Sequence, residues 1–258
     1  MTGSPSKRSG AGCEGVACEH TLGQQPLELY SYLWRKLDDG LSVNSNVDRF
    51  SFVLADTVIF KHQKPVMWLF TSHQEKGMIL RKSKKNLSAA VVLQEFKTPK
   101  AMAHSQSQPH EENEDQVVAT YAYLERSLVS PEPRMFIEHL NRAGLEELLH
   151  DREKPPLSVL QRYIPTRSGY NHTYQSVYTT EECVVSKVVN PHSTLDTTVS
   201  LAERTVTFEV NDQQSRQREV TDKEVKIVID KINSELSSHL ERLVGKQCVR
   251  LVSYFKVL

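Results

Sequence analysis

One stretch near the C-terminus constrains this chain more than any other. Thr221-Asp-Lys-Glu224 has the form of a capping box, in which a hydroxyl side chain caps an orphan helix amide and a glutamate reaches back. After it come Val225, Val228, Ile229, Ile232, Leu236, Leu240, Leu243 and Val244. Steps of three and four residues put them on one helix face. Gly245 stands where a left-handed C-cap belongs. The spacing predicts an amphipathic helix over Asp222–Val244. Its apolar face has to be buried against a sheet or another helix.

The rest of the chain supplies strands. Arg49–His62, Val66–Thr71, Met78–Lys82 and Ala89–Phe96 read as strand candidates, with Pro65 as an interruption and Gln74–Gly77 as a turn. Gln116–Glu125 and Arg134–His139 read as a hairpin around Pro131 and Pro133, with Val118, Thr120, Ala122 and Leu124 on one face. Tyr174–Tyr178, Cys183–Val189, Arg204–Val210 and Cys248–Val257 carry β-branched residues and read as further strands. Leu157–Ile164 fits a helical turn or a strand. Helical spacing recurs at Leu27, Tyr30, Leu33, Trp34 and Leu37, and again over Arg142–His150 behind a capping Asn141. The expected fold is therefore α+β: a mostly antiparallel sheet covered by the long C-terminal helix, behind a disordered N-terminus.

Composition divides the chain. Residues 1–25 are polar and aperiodic and read as a disordered tail. Residues 26–96 read as an N-terminal α+β segment. Residues 97–115, with Pro99, Pro109 and the acidic run 111–115, read as a flexible linker or loop. Residues 116–258 form a C-terminal α+β segment. Met1–Gly15 has no apolar core of a secretory signal, and no apolar run is long enough to span a membrane. The reading is a cytoplasmic protein that is not secreted.

The chemistry-bearing patterns are mostly exclusions. Lys+Arg and Asp+Glu both number 32, so the net charge is zero and no global attraction to nucleic acid or membrane is expected. Only 10 of 258 residues are glycine, and no glycine-rich phosphate motif is present. Cys13, Cys18 and His20 offer too few ligands for structural zinc. Cys183 and Cys248 lie among apolar residues that disfavour a thiolate. No nucleophile elbow or zincin motif occurs. The carboxylate pairs lie in surface contexts rather than a cleft. No catalytic residue, cofactor or metal ligand is assigned.

Two stretches remain as interaction candidates. The first is basic, Lys76–Lys85, with Lys82, Lys84 and Lys85 at its C-terminal end. It suits an acidic protein surface such as a tubulin tail; equally, such charges keep a sheet edge from pairing. No aromatic nucleic-acid motif accompanies it. The second is rich in tyrosine and arginine: Arg162, Tyr163, Arg167, Tyr170, Tyr174 and Tyr178. Tyr and Arg dominate binding hot spots, and rings also pin loops by packing.

Leu160-Gln-Arg-Tyr-Ile-Pro165, the strand around Cys183, Arg204-Thr-Val-Thr-Phe-Glu209, the long helix and Tyr254-Phe-Lys-Val257 together resemble a group of cilium- and flagellum-associated animal proteins. The resemblance covers the chain from Gln116 on. In that group the chain continues past the Tyr-Phe-Lys-Val segment, so the resemblance implies a shortened isoform with an incomplete sheet. It implies a structural or adaptor role and no catalytic residues. The functional reading is a non-enzymatic protein-interaction or scaffold protein, associated with the cilium or cytoskeleton. The alternative is a small-ligand or lipid carrier with a cavity between the sheet and the long helix.

Overall fold

The computed structural model describes residues 29–34, 49–72, 74–75, 77–97, 114–126, 133–166, 168–207 and 216–256. The tail 1–25, most of 97–115 and Arg167 lie outside them. The element order is α1 (Leu29–Leu33), β1 (Thr57–Lys61), β2 (Lys64–Thr71), β3 (Ile79–Arg81), α2 (Ala89–Lys97), β4 (Ala119–Arg126), β5 (Pro133–Leu140), α3 (Arg142–His150), β6 (Leu157–Arg162), β7 (Tyr170–Thr179), β8 (Cys183–Ser193), α4 (Leu201–Thr205), β9 (Arg216–Glu219), α5 (Lys223–Val244) and β10 (Arg250–Phe255).

The protein is α+β and every strand pairing among the described residues is antiparallel. The strands form two sheets rather than one. The first has six strands in the order β3-β2-β1-β6-β4-β5, the second four in the order β10-β7-β8-β9. Strands from before and after 97–115 share the first sheet, with β6 between β1 and β4.

Both faces of the first sheet bury apolar side chains, so its strands read as runs rather than clean alternations. On one face Val58, Phe60, Trp68, Tyr121 and Leu160 pack with Val92 and Phe96 of α2 and Leu145, Leu148 and Leu149 of α3. On the other, Ile59, Leu69 and Val159 pack with Phe50 and Leu54, and Leu33 and Leu236 join them. Ala119 and Tyr121 of β4 belong to the first cluster, Ala122 and Leu124 to the second.

Several sequence expectations need correction. Ala89–Phe96 is helical. An apolar run of this length cannot be told from a strand by periodicity alone. Ser88 accepts the Val91 amide at 3.3 Å, and Val92 and Phe96 fall one turn apart on the buried side. Arg204 and Thr205 end the helix α4, which starts at a true capping box of Ser200 and Glu203. The cap of α5 is Asp222, not Thr221: its side chain accepts the amides of Glu224 and Val225. Pro65 lies inside β2, at a register shift opposite Phe60, where a missing amide does least harm. Residues 49–56 are not a strand; Arg49 makes one bridge to Met78 and the Phe50 amide donates to the Gly77 carbonyl at 2.9 Å. Gly77 has φ 77°, and a Cβ there would meet the Phe50 oxygen at 2.5 Å, so the turn requires glycine. The helix expected over Leu27–Leu37 is described only as Leu29–Leu33.

The α5 helix spans 22 residues and ends at Gly245 with φ 69°. Ile229 packs with Tyr174, Val185 and Val220 of the second sheet's cluster. Leu236 reaches the first sheet's cluster. Asn233 donates to Ser176 at 2.9 Å, and the His239 ring bonds the Tyr32 carbonyl at 2.9 Å. The Ser51 amide and hydroxyl both donate to the Glu235 carboxylate. One expected stripe residue, Val228, is 52% exposed, while Ile232 is 6% exposed. Ile232→Asp is therefore expected to cost at least about 3 kcal/mol by burying a charge, and Val228→Asp less than about 1 kcal/mol. Urea denaturation of both variants checks the helix phase; equal costs would refute it.

Candidate functional site

The expected interaction residues do not assemble into one surface. Lys82 lies in the first sheet's half, its ammonium 3.6 Å from the Trp68 ring centre and 3.3 Å from the Glu95 carboxylate. Lys84 and Lys85 are exposed on a short 3-10 turn that leads towards α2. Arg162 is 8% exposed and lies in β6. Its Nε donates to Asp56 at 3.0 Å and its Nη2 to the Glu95 carbonyl at 2.6 Å. Tyr174 is buried in β7 beneath Lys187, whose ammonium lies 5.0 Å from its ring centre. Tyr170 alone of the tyrosines named is both exposed, at 44%, and set in a concavity.

That concavity is a groove of about 510 Å³ on the second sheet. Ser168, just before β7, lines it with Tyr170 and His172 from the start of β7 and Lys187, Val189, Asn190 and Pro191 from β8. The local sequence builds it in steps. Gly169, at φ 72°, turns the chain into β7, with Thr166 and Ser168 hydroxyls donating to the Tyr170 carbonyl. A register shift between Tyr170 and His172 then separates β7 from β8. Beyond it His172 pairs with Val189 and Tyr174 with Lys187. Alternation puts His172, Tyr174, Lys187 and Val189 on one face of the sheet.

Two buried asparagines, Asn171 and Asn190, hold the groove in shape. The Asn190 side chain donates to the carbonyls of Glu203 and Val206 at 2.7 and 2.8 Å and accepts the His192 amide. The Asn171 side chain donates to the Thr205 carbonyl. Together they satisfy carbonyls that the short helix α4 leaves unpaired at its end. The Asn171 oxygen accepts from the Tyr163 hydroxyl and from the Lys256 ammonium, and Lys256 also bonds the His172 carbonyl at 2.6 Å. Residues from the inter-sheet link, β7 and the end of β10 thus meet in one network.

The electrostatics are one-sided. Among the described residues the charged or titratable lining of the groove is Lys187, His172 and Tyr170, with no carboxylate. Among the described residues Lys187 makes no ion pair. Burial holds the His172 imidazole below its ordinary pKa, and the charges of Lys187 and Lys256 add to that, against a backbone bond to Tyr170. Burial likewise raises the Tyr163 phenol. His139 of β5 packs edge-on to Tyr163 at 5.8 Å, and burial, with help from Lys256, pushes it down to about 3.

Lys187, His172, Asn171 and Lys256 were not singled out by the sequence. One signal was available: Lys187 is a lone charge within the apolar run Cys183–Val189. The remaining chemistry is muted. Burial raises both the Cys183 and the Cys248 thiols, which weakens them as nucleophiles. Among the described residues no three His, Cys, Asp or Glu side chains are placed to hold a metal, and no helix is long and apolar enough to cross a membrane. Cys13, Cys18 and His20 lie outside the described residues. No family model matches the chain, and no curated protein or solved structure matches it.

His139 carries the pH prediction for this site. Its folded pKa is depressed below that of the unfolded chain, so its neutral form stabilises the fold fully above about pH 6.5, and that share is lost as pH falls towards 3. His139→Gln is expected to be closer to wild type in stability at pH 5 than at pH 7, measured by urea denaturation. A gap that stays constant between these pH values would contradict the burial of a neutral imidazole.

Proposed function

We propose that the protein is a non-enzymatic interaction module that takes an acidic segment of a partner protein into the groove between Tyr170 and Lys187. The observation that carries this reading is the lining itself: a lysine and a histidine without a carboxylate, beside an exposed tyrosine. An ammonium partly withdrawn from water and lacking an anion is stabilised by one, and the ring of Tyr170 offers rigid contact area at small entropic cost.

The amphipathic α5 helix, read as the cover of the second sheet, supports the groove by packing Ile229 against Tyr174, the residue below Lys187. The resemblance to cilium- and flagellum-associated proteins directs the partner search to the cytoskeleton, where acidic tubulin tails have the required charge. Lys84 and Lys85 form a separate exposed basic site. The carrier reading is less favoured, because Ile229, Val185 and Tyr174 pack together between helix and sheet and Asn233 bonds Ser176 across that space.

Fluorescence anisotropy of a labelled glutamate-rich peptide tests the reading. Lys187→Glu is expected to weaken binding by roughly tenfold or more at low salt, with the melting temperature nearly unchanged. Unchanged affinity in that variant, with loss in a Lys84→Glu/Lys85→Glu variant instead, would move the binding surface to the basic turn and reject the groove.

A further inference from the structure

We infer that the face of the second sheet turned away from α5 is the interface of a two-fold homodimer, in which Arg250 of each chain meets Glu182 of the other. This surface is separate from the groove, whose Lys187 and His172 belong to the α5 side of the sheet.

An antiparallel sheet with one face against a helix ordinarily shows polar side chains on its free face. Alternation assigns the two faces here. Tyr174, Val185 and Phe255 pack with Val225 and Ile229 of α5. Their strand neighbours therefore point away from the helix. The register sets those neighbours in rows across three strands. Val252 of β10, Val177 of β7 and Val184 of β8 form the middle row. Tyr254, Gln175 and Ser186 form the row on one side, and the Gln175 amide donates to the Tyr254 hydroxyl at 3.1 Å. Arg250 and Thr179 form the row on the other side. The Thr179 amide donates to the Glu182 carbonyl at 2.8 Å, which extends that row to Glu182. Val184, Val252 and Tyr254 are 51%, 39% and 43% exposed. A single exposed valine is ordinary, but an apolar row with a tyrosine beside it is a surface for a partner.

Charge names that partner. Arg250 and Glu182 are both exposed, and among the described residues neither makes an ion pair. They end one row on opposite sides of β7, two strand spacings or roughly 10 Å apart, with Thr179 between them. A two-fold axis running along β7 over Val177 exchanges the two sides of that strand. It sets Arg250 of each chain against Glu182 of the other, Val252 against Val184, and Val177 against its own copy. Such a contact closes, because the patch is its own complement. Stacked sheets lie about 10 Å apart and turned by about 30°, and the long Arg250 and Glu182 side chains span that offset. A foreign partner requires no such balance of charge about β7.

Sedimentation equilibrium of the full chain tests the assignment. Wild type is expected to form dimers between about 1 and 100 µM. Arg250→Glu and Glu182→Arg are each expected to weaken association at least about tenfold, because each sets like charges together twice. The double variant Arg250→Glu/Glu182→Arg is expected to restore it, since the exchange preserves the complement. Val184→Asp is expected to leave a monomer with unchanged circular dichroism, because the residue is already exposed in the single chain. A wild-type chain that stays monomeric at about 100 µM would overturn the inference. So would a dimer that persists in Val184→Asp: it would be joined elsewhere, for example along the edge of β10, two strands from Val184. A double variant as weak as the single ones would refute the Arg250–Glu182 contact.

Discussion

The first sheet depends on a buried ion pair. Asp56 and Arg162 meet at 3.0 Å with side chains 5% and 8% exposed. Desolvating two charges is costly, and attraction repays it only when every remaining donor and acceptor is satisfied. Here the elements themselves satisfy them. The second Asp56 oxygen accepts the Trp68 indole of β2 at 3.0 Å. The Arg162 amide donates back to the Asp56 carbonyl at 2.8 Å. Nη2 of the guanidinium donates to the Glu95 carbonyl in the last turn of α2, and the group lies 4.8 Å from the Phe96 ring centre. One side-chain pair thus ties the entry to β1, the middle of β2, the end of β6 and the end of α2. A displaced α2 would leave a charged group buried with an unmet bond. Lys82, lying on Trp68 and bonded to Glu95, closes the same cluster from outside.

The second sheet is built on a different economy. Its buried residues include Asn171, Ser176 and Asn190, which with Asn233 of α5 are fully enclosed and bonded to another element. Asn171 and Asn190 anchor α4 where an apolar side chain would leave backbone carbonyls unmet, and Asn233 ties α5 to the Ser176 hydroxyl of β7. Polar anchoring makes the start of β7 precise without making it thick. Behind His172 there is a bonded network of Asn171, Tyr163 and Lys256; in front there is an open groove.

What the sequence disclosed follows from how local each signal was. The α5 helix, the Asn141 cap of α3 and the β4–β5 hairpin were legible because their signals lie within a turn or two of chain. The helix α4 carried an equally local signal, Ser200 and Glu203, that was overridden by the β-branched residues after it. The strand reading of Ala89–Phe96 failed because burial on the first sheet, a long-range fact, decides how an apolar run folds. The division of strands into two sheets was not legible, since register between β1 and β6 joins residues about a hundred positions apart. Arg162 shows the limit for sites. An arginine next to a tyrosine-rich stretch resembles a hot spot until the carboxylate of Asp56 is found beside it. Lys187 shows the reverse: a lysine in an apolar strand looks like one more solvated charge until the groove appears.

Arg162 and Lys82 are both engaged in the first sheet's cluster, and Lys187 makes no ion pair among the described residues. The engagement of Arg162 is tested most directly by a double-mutant cycle on Asp56→Ala and Arg162→Ala, read as unfolding free energy. The account predicts that each single variant is strongly destabilised and that the pair couples by about 2–3 kcal/mol, because removing the second charge relieves the first. Additivity within about 0.5 kcal/mol would contradict it.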